Sequence, residues 1–434
     1  MPSVIVAGGG LAGLAAAAAL GSSGFEVDLF EARAFLGGRA TSYAIPGSDG
    51  QTEVIDNCQH VLLRCCVNLI DLYTRLGVAG HIRFHREFFF IEPGGRVSAL
   101  RAGRLPPPLH FAGSLLCAHY LSFFEKLALA RCLAALQRDR LTRSDLDRIT
   151  MLDWLRERNQ PPRVIERFWR QVLVSAVNED LERMAAIHGF QVLWLGFLAR
   201  SDSYEMGIPA VPLGSLYSSD AWNRWPNVRI HSRAVVESIG HSGVSIDGSL
   251  RTADFYVSAL PFERLATVAP GIDVPQMEHS PITGIHLWFD RPVTDLPHAT
   301  LLDRTMQWMF NKSEGRHIQL VVSASRGLVE KSRNEIVALA SRELSEFFPA
   351  AAQAKLLKAH VVKEVRATFS AAPGLEQVRP PAQTIWPNVF VAGDWTRSGW
   401  PATMEGAVRS GYIAAEAVAL AAGSPRRYLL PDVA

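Results

Sequence analysis

Ser3-Val4-Ile5-Val6-Ala7 is a run of β-branched and small apolar residues without polar alternation, the pattern of a strand covered on both faces. Residues 11–20, leucine and alanine almost throughout, predict a helix, and Glu26-Val27-Asp28-Leu29-Phe30-Glu31 predicts a second strand. Together they form a strand–helix–strand unit of about thirty residues, the length a dinucleotide-binding unit needs. A helix follows from Asn68 to about Gly77, with Leu69, Leu72, Tyr73 and Leu76 on one face. Residues 84–105 pattern as a hairpin about Pro93-Gly94-Gly95. Pro106-Pro107-Pro108 interrupts the chain, and residues 110–199 read as mostly helical, one helix being capped by Thr150.

Beyond a glycine and proline cluster at 207–214, short strands are expected at 229–230, 235–236 and 244–246, and longer ones at 282–289 and 317–323. A surface helix is expected over 333–348. Val389-Phe390-Val391-Ala392-Gly393-Asp394 then returns to a buried strand, followed by a helix over about 403–422. The fold class expected is α/β. A Rossmann-like, glutathione-reductase-like domain takes residues 1–75, 208–265 and 380–434, interleaved with an α+β substrate domain from 76–207 and 266–379.

Composition narrows the classes. Of 434 residues, 48% are hydrophobic and 20% charged, so the chain is globular. Lysine plus arginine number 44 against 42 acidic residues, which gives no support to nucleic acid as a partner. The five cysteines, Cys58, Cys65, Cys66, Cys117 and Cys132, contain no CxxC pair, so neither a disulfide framework nor a metal is expected. The vicinal Cys65-Cys66 pair reads as small buried side chains. The apolar start lacks a basic leader and is rich in glycine, so it reads as a strand and turn and not as an export signal. A cytoplasmic protein, peripheral at most to the cytoplasmic membrane, is the expectation.

Gly8-Gly9-Gly10-Leu11-Ala12-Gly13 satisfies GxGxxG between the first strand and the first helix. Gly8 permits the turn, Gly10 lets a pyrophosphate approach the backbone, and Gly13 lets helix meet sheet. The amides at Leu11 and Ala12 then face the phosphates at a helix N-terminus. Glu31 ends the second strand, where a carboxylate accepts ribose hydroxyls and repels a 2′-phosphate. Six residues on, Gly37-Gly38-Arg39 offers amides and a guanidinium to a second phosphate oxygen. Far along the chain, Gly393-Asp394 ends a buried strand and Met404-Glu405-Gly406-Ala407 opens a helix. There the aspartate can hold a ribityl hydroxyl, and the helix can point its N-terminus at a flavin carbonyl. A distant second element of this kind selects FAD over NAD.

Glu31-Ala32-Arg33 leading to Gly37-Gly38-Arg39, with Gly393-Asp394-Trp395-Thr396 and Met404-Glu405-Gly406-Ala407-Val408-Arg409-Ser410-Gly411, resembles the flavin-containing amine oxidase and phytoene desaturase superfamily. The resemblance implies adenine contacts from the backbone of Val235 or Val236. Asp56-Asn57-Cys58-Gln59-His60-Val61-Leu62-Leu63 and Trp395-Thr396 through Gly406 are most similar to the bacterial hydroxysqualene dehydroxylases, in which position 58 is glycine. That likeness implies reductive removal of an allylic hydroxyl from a thirty-carbon isoprenoid, hydroxysqualene, which enters from lipid or from a preceding synthase.

Such a reaction needs a proton for the leaving hydroxyl. His60 is the preferred donor, with Asp56 orienting it or serving in its place and Gln59 beside it. The plainer alternative has Asp56 tying down its loop and His60 bonding a carbonyl. Leu109 to Leu136 is read as helix core or, alternatively, as an entrance dipping into a membrane surface. Trp154, Trp169, Phe190, Trp194 and Phe197 are tunnel candidates that each also fit an ordinary core. A carotenoid-type desaturase is the first rival reading. An amine oxidase is disfavoured because Gly284 stands where a strand lysine would align. A flavin-free prenyl-binding protein is the rival from another class.

Overall fold

A computed structural model of the chain describes residues 1–47 and 51–433. Strands Ser3–Ala7, Glu26–Glu31, Val228–Ser232, Phe255–Ser258 and Val389–Val391 form one parallel sheet. The Ser3–Ala7 strand lies centrally, between Glu26–Glu31 and Phe255–Ser258. The chain builds outward from it on one side through Glu26–Glu31 to Val228–Ser232 and then crosses to its other side at Phe255–Ser258, so the carboxyl ends of the strands open a crevice at this switch in strand order. Ala7, Glu31, Ser258 and Val391 all end at that crevice.

The first helix, Leu11–Ser22, is buried on nearly all sides because its face away from the sheet is covered by the Met404–Ala421 helix. Alanine makes this possible. A Cβ on Gly411 would sit 2.2 Å from the Ala12 carbonyl oxygen, so the two helices meet with no side chain between them. At the other edge, Gly13 packs against Gly8 so closely that a Cβ there would lie 1.9 Å from the Gly8 oxygen.

A second sheet has seven strands, ordered Leu356–Phe369, His279–Phe289, His317–Ser323, Trp308–Ser313, His298–Leu301, Phe88–Ile91 and Val97–Leu100. Its pairs are antiparallel except Thr300 against Phe90. Alternation assigns its faces: Ile285, Leu287, Leu320 and Met309 pack beneath the Arg333–Phe347 helix. Gly284, His286, Gln319, Phe310 and Thr300 point the other way, towards the helices of the 123–198 segment.

Those helices start as their sequences dictate. Ser122 with Glu125 and Ser332 with Glu335 form reciprocal caps, and the Thr150 hydroxyl accepts from the Asp153 amide at 3.1 Å. The Leu109–Leu136 stretch is two helices, Ala112–Cys117 and Phe123–Thr142, broken at residues 118–122. Trp154 and Trp169 are fully buried and donate to Asp139 and Gln160, so both belong to the core and not to a tunnel. Among the described residues no helix is long and apolar enough to cross a membrane.

Gly411→Ala is expected to lower the unfolding free energy by about 1–3 kcal/mol, as overpacking does. Urea unfolding measures this, and an unchanged midpoint would show that the helices part freely.

Candidate functional site

The glycine turn after the first strand is shaped as a cradle. Gly8 has φ +108° and its side-chain position is blocked by the Ala259 carbonyl at 2.8 Å. A Cβ on Gly10, by contrast, would meet nothing within 4 Å. Gly10 caps the first helix with no side-chain hydrogen bond, and no acidic residue lies in the first turn. The amides of Leu11 and Ala12 therefore sit behind open space with the helix dipole aimed into it, which fits a pyrophosphate.

Glu31 stands beside the cradle, its carboxylate accepting from the Gly9 amide at 2.7 Å and from the Arg33 amide at 2.8 Å. Ala32 and Arg33 carry the chain past it, and Gly37 and Gly38, with φ +97° and +64°, fold back until Gly37 donates to the Gly9 carbonyl. Opposite Glu31, the Ala234 amide bonds the Glu31 carbonyl. Val235 is one of the two residues expected at the adenine. Its amide and carbonyl are both taken by Asp247, and Val236 is already in a strand ladder.

Arg39 meets the distant element. Nη2 of Arg39 donates to both carboxylate oxygens of Asp394, at 2.8 and 2.9 Å, while Nη1 donates to the Ala367 carbonyl at 2.7 Å. Sequence reading assigned both residues to the cofactor but did not foresee that they touch. Behind Asp394, the fully buried Arg379 donates to the carbonyls of Asp394 and Trp400 at 2.8 Å and fixes the loop between them. Gly393 is held by the Ser410 hydroxyl at 2.8 Å.

The C-terminal helix begins at Met404, and three of its first residues already have partners within the protein. The Gly406 amide is spent on the Thr403 hydroxyl at 3.0 Å, which leaves the amides of Met404 and Glu405, and not those of Gly406 and Ala407, at the open turn. The Glu405 side chain does not face a cofactor. It accepts from the Asn68 amide and side chain and, at 2.7 Å, from the Leu69 amide, tying this helix to the Val67–Leu76 helix. Burial pushes its carboxyl up to about 7, against the pull of those donors and Arg409.

Loop 56–60 covers the second sheet, and a Cβ on Gly284 would lie 3.6 Å from both the Asn57 carbonyl and the Cys58 sulfur. Burial drives the Cys58 thiol up to about 12, so it is inert. Asp56 does not orient His60. Its carboxylate takes the Ser42 hydroxyl, the Leu213 amide and the Lys312 ammonium. Burial raises its pKa, but Lys312 and these donors outweigh burial and hold it below the usual carboxylate range, so it stays an anion.

The His60 Nδ1 lies 2.9 Å from the Cys58 carbonyl, to which it donates, and burial lowers its pKa. Neutral, with its proton on that bond, the ring presents a lone pair and not an acid. This geometry is that of the plainer alternative, in which His60 bonds a carbonyl. Gln59 does reach the cavity, and its Oε1 accepts from Lys312 Nζ at 2.9 Å. Lys312 is the residue sequence reading missed. A register irregularity between Asn311 and Ser313 leaves it out of the ladder and turns it onto the loop.

Beyond Gln59 a cavity of about 220 Å³ runs between the sheet and the helices. Val61, Phe88, Trp308, Phe310 and Phe197 are among its apolar walls. Phe197 and Leu195 lie on a π-helical turn, Trp194–Leu198. Trp194 itself turns away, under the Arg140 guanidinium.

The model of the family "Flavin containing amine oxidoreductase" matches residues 11–419. A hydroxysqualene dehydroxylase from Rhodopseudomonas palustris is 31% identical over 440 residues, covering 97% of this chain and 99% of that protein. A 15-cis-phytoene desaturase from Synechococcus elongatus is 24% identical, covering 96% and 95%. A redesigned putrescine oxidase superposes with a TM-score of 0.70 at 16% identity, covering 98% and 99%, a likeness of fold alone.

The cradle supplies a direct test. Val fits the extended backbone of Gly10, with φ −74° and ψ 174°, and meets no protein atom, so Gly10→Val is expected to keep its circular dichroism and melting temperature as apoprotein. It is also expected to lose the bound flavin absorbance. Full yellow colour in this variant would place the cofactor elsewhere. With the cradle, the fold and a family match over nearly the whole length, this chain is an FAD-dependent oxidoreductase and belongs to the flavin-containing amine oxidoreductase family.

Proposed function

We propose that the protein reduces hydroxysqualene to squalene, replacing an allylic hydroxyl by hydrogen. The observation that carries this reading is the mostly apolar cavity lined by Gln59, which Lys312 bonds, together with Met404 at the start of the C-terminal helix. Its aliphatic and aromatic walls suit a hydrocarbon chain, and Gln59 offers a hydroxyl on that chain a hydrogen-bond partner. The 31% identity with the hydroxysqualene dehydroxylase over the whole of both chains supports the same reaction.

Reduced flavin supplies the hydride equivalent. The protein must bind the chain, steer its hydroxyl and deliver a proton as the C–O bond breaks. Gln59 positions the hydroxyl, and Lys312, held between Gln59 and the anionic Asp56, donates the proton. Phe310 and Trp308, stacked at 5.8 Å, present aromatic faces to positive charge that develops on the allylic carbon. The substrate enters from a lipid surface, which the exposed Leu109, Leu116, Phe123 and Phe124 fit.

The second reading is desaturation of a carotenoid-type hydrocarbon, favoured by the phytoene desaturases that match along almost the whole chain. It uses the same cavity in the opposite redox direction and has no need of a proton donor.

Anaerobic incubation of the reduced holoenzyme with hydroxysqualene is expected to give one squalene per flavin reoxidised. A flavin that stays reduced, with no squalene, would sink the proposal. The same oxidised enzyme should then be offered phytoene. Lys312→Gln retains a donor for Asp56 but no ionisable proton, and is expected to slow squalene formation about 100-fold at unchanged flavin content. His60→Phe is expected to cost far less.

A further inference from the structure

Beneath loop 56–60, the second sheet carries polar groups that the site described so far does not use. His286 and Gln319 face each other across paired strands on the cavity side of the sheet, and both are fully buried. His286 Nε2 and both Gln319 amide atoms have no hydrogen-bond partner among the described residues. A buried polar atom left unpaired costs about 1–3 kcal/mol, so such atoms in a folded protein call for water or a ligand.

They also lie on a line. His286 Nδ1 is 3.0 Å from His317 Nε2, and the other His317 nitrogen is 4.0 Å from the Glu53 carboxylate. Glu53 is partly exposed at the sheet edge, held by Trp288 Nε1 at 2.6 Å and Lys358 Nζ at 2.9 Å. At the inner end, the irregularity that expels Lys312 from its strand falls opposite His317 and Ile318, beside Gln319. Burial pushes both histidines down to about 3, so each is a neutral ring that accepts at one nitrogen and donates from the other.

We propose that Glu53, His317, His286 and Gln319, with water bound at the open His286 and Gln319 atoms, form a proton path from the sheet edge to Lys312. The inference rests on the dehydroxylation reading, because that reaction consumes a proton from outside. The allylic alcohol, two-electron-reduced flavin anion and one proton become the alkene, water and oxidised flavin. The C–O bond breaks, a C–H bond forms, and the proton leaving Lys312 ends on the departing oxygen. Lys312 is then recharged along the path. Desaturation makes no such demand.

His286→Phe and Gln319→Met separate the path from a structural role. Gln319→Met removes only unpartnered atoms and is expected to melt no lower than wild type, whereas His286→Phe leaves His317 Nε2 without its partner and is expected to melt lower. Both variants are expected to bind FAD fully and to form squalene about tenfold more slowly. Added imidazole is expected to restore His286→Gly at least severalfold. Full turnover in His286→Phe and Gln319→Met, with no imidazole response in His286→Gly, overturns the path.

A crystal structure of the holoenzyme gives a readout independent of substrate. Water on His286 Nε2 and Gln319 supports the path, and a dry row refutes it. Should wild type give no squalene while that water is present, the reaction reading fails and the hydrated path stands.

Discussion

The close approach of the first and last helices sets the rest of this molecule. Gly411 against the Ala12 carbonyl allows the Met404–Ala421 helix to lie directly on Leu11–Ser22, and that contact brings residues 393–406 to the glycine turn at residues 8–13. The cofactor site has no existence in either segment alone. Gly10 offers an open cradle, Arg39 reaches across to Asp394, and Glu405 anchors the later helix on Asn68 and Leu69. The many alanines of the first helix, weak as a hydrophobic signal, are what a helix buried on every side between sheet and helix requires.

From that junction the second sheet takes its role. Its face towards the Arg333–Phe347 helix is largely aliphatic, with Ile285, Leu287, Met309 and Leu320, while the opposite face mixes aromatic rings with His286, Gln319 and Thr300. Strand alternation alone separates the two. The cavity is thus apolar along its length and polar where loop 56–60 crosses the sheet. One irregularity in the Trp308–Ser313 strand places Lys312 at that crossing, where Asp56 keeps it paired and Gln59 connects it to the cavity.

The α/β class and the FAD motifs were legible because they are written locally. Gly8, Gly10 and Gly13 have a fixed spacing, Glu31 ends a strand, and Gly393-Asp394 follows a β-branched run. What could not be read depends on neighbours distant in sequence. The Arg39–Asp394 pair spans 355 positions, and the buried Arg379 that shapes the Asp394 loop carries no motif. His60 looked like an acid because its ordinary pKa suits one. The Cys58 carbonyl, two residues away, and burial make it a neutral acceptor. Lys312 was hidden because a strand irregularity leaves no trace in composition or period. Glu405 reads as part of a flavin motif, yet its side chain serves a helix packed behind it.

Equilibrium binding of FAD to the deflavinated protein tests the junction most directly, measured for wild type, Arg39→Ala, Asp394→Ala and the double variant. Each single change is expected to raise Kd at least tenfold, about 1.4 kcal/mol. The double change is expected to cost clearly less than the sum, because the two side chains hold one ligand and each other. Unchanged affinity, or two fully additive losses, would contradict a single cofactor site closed between residues 8–39 and 393–406.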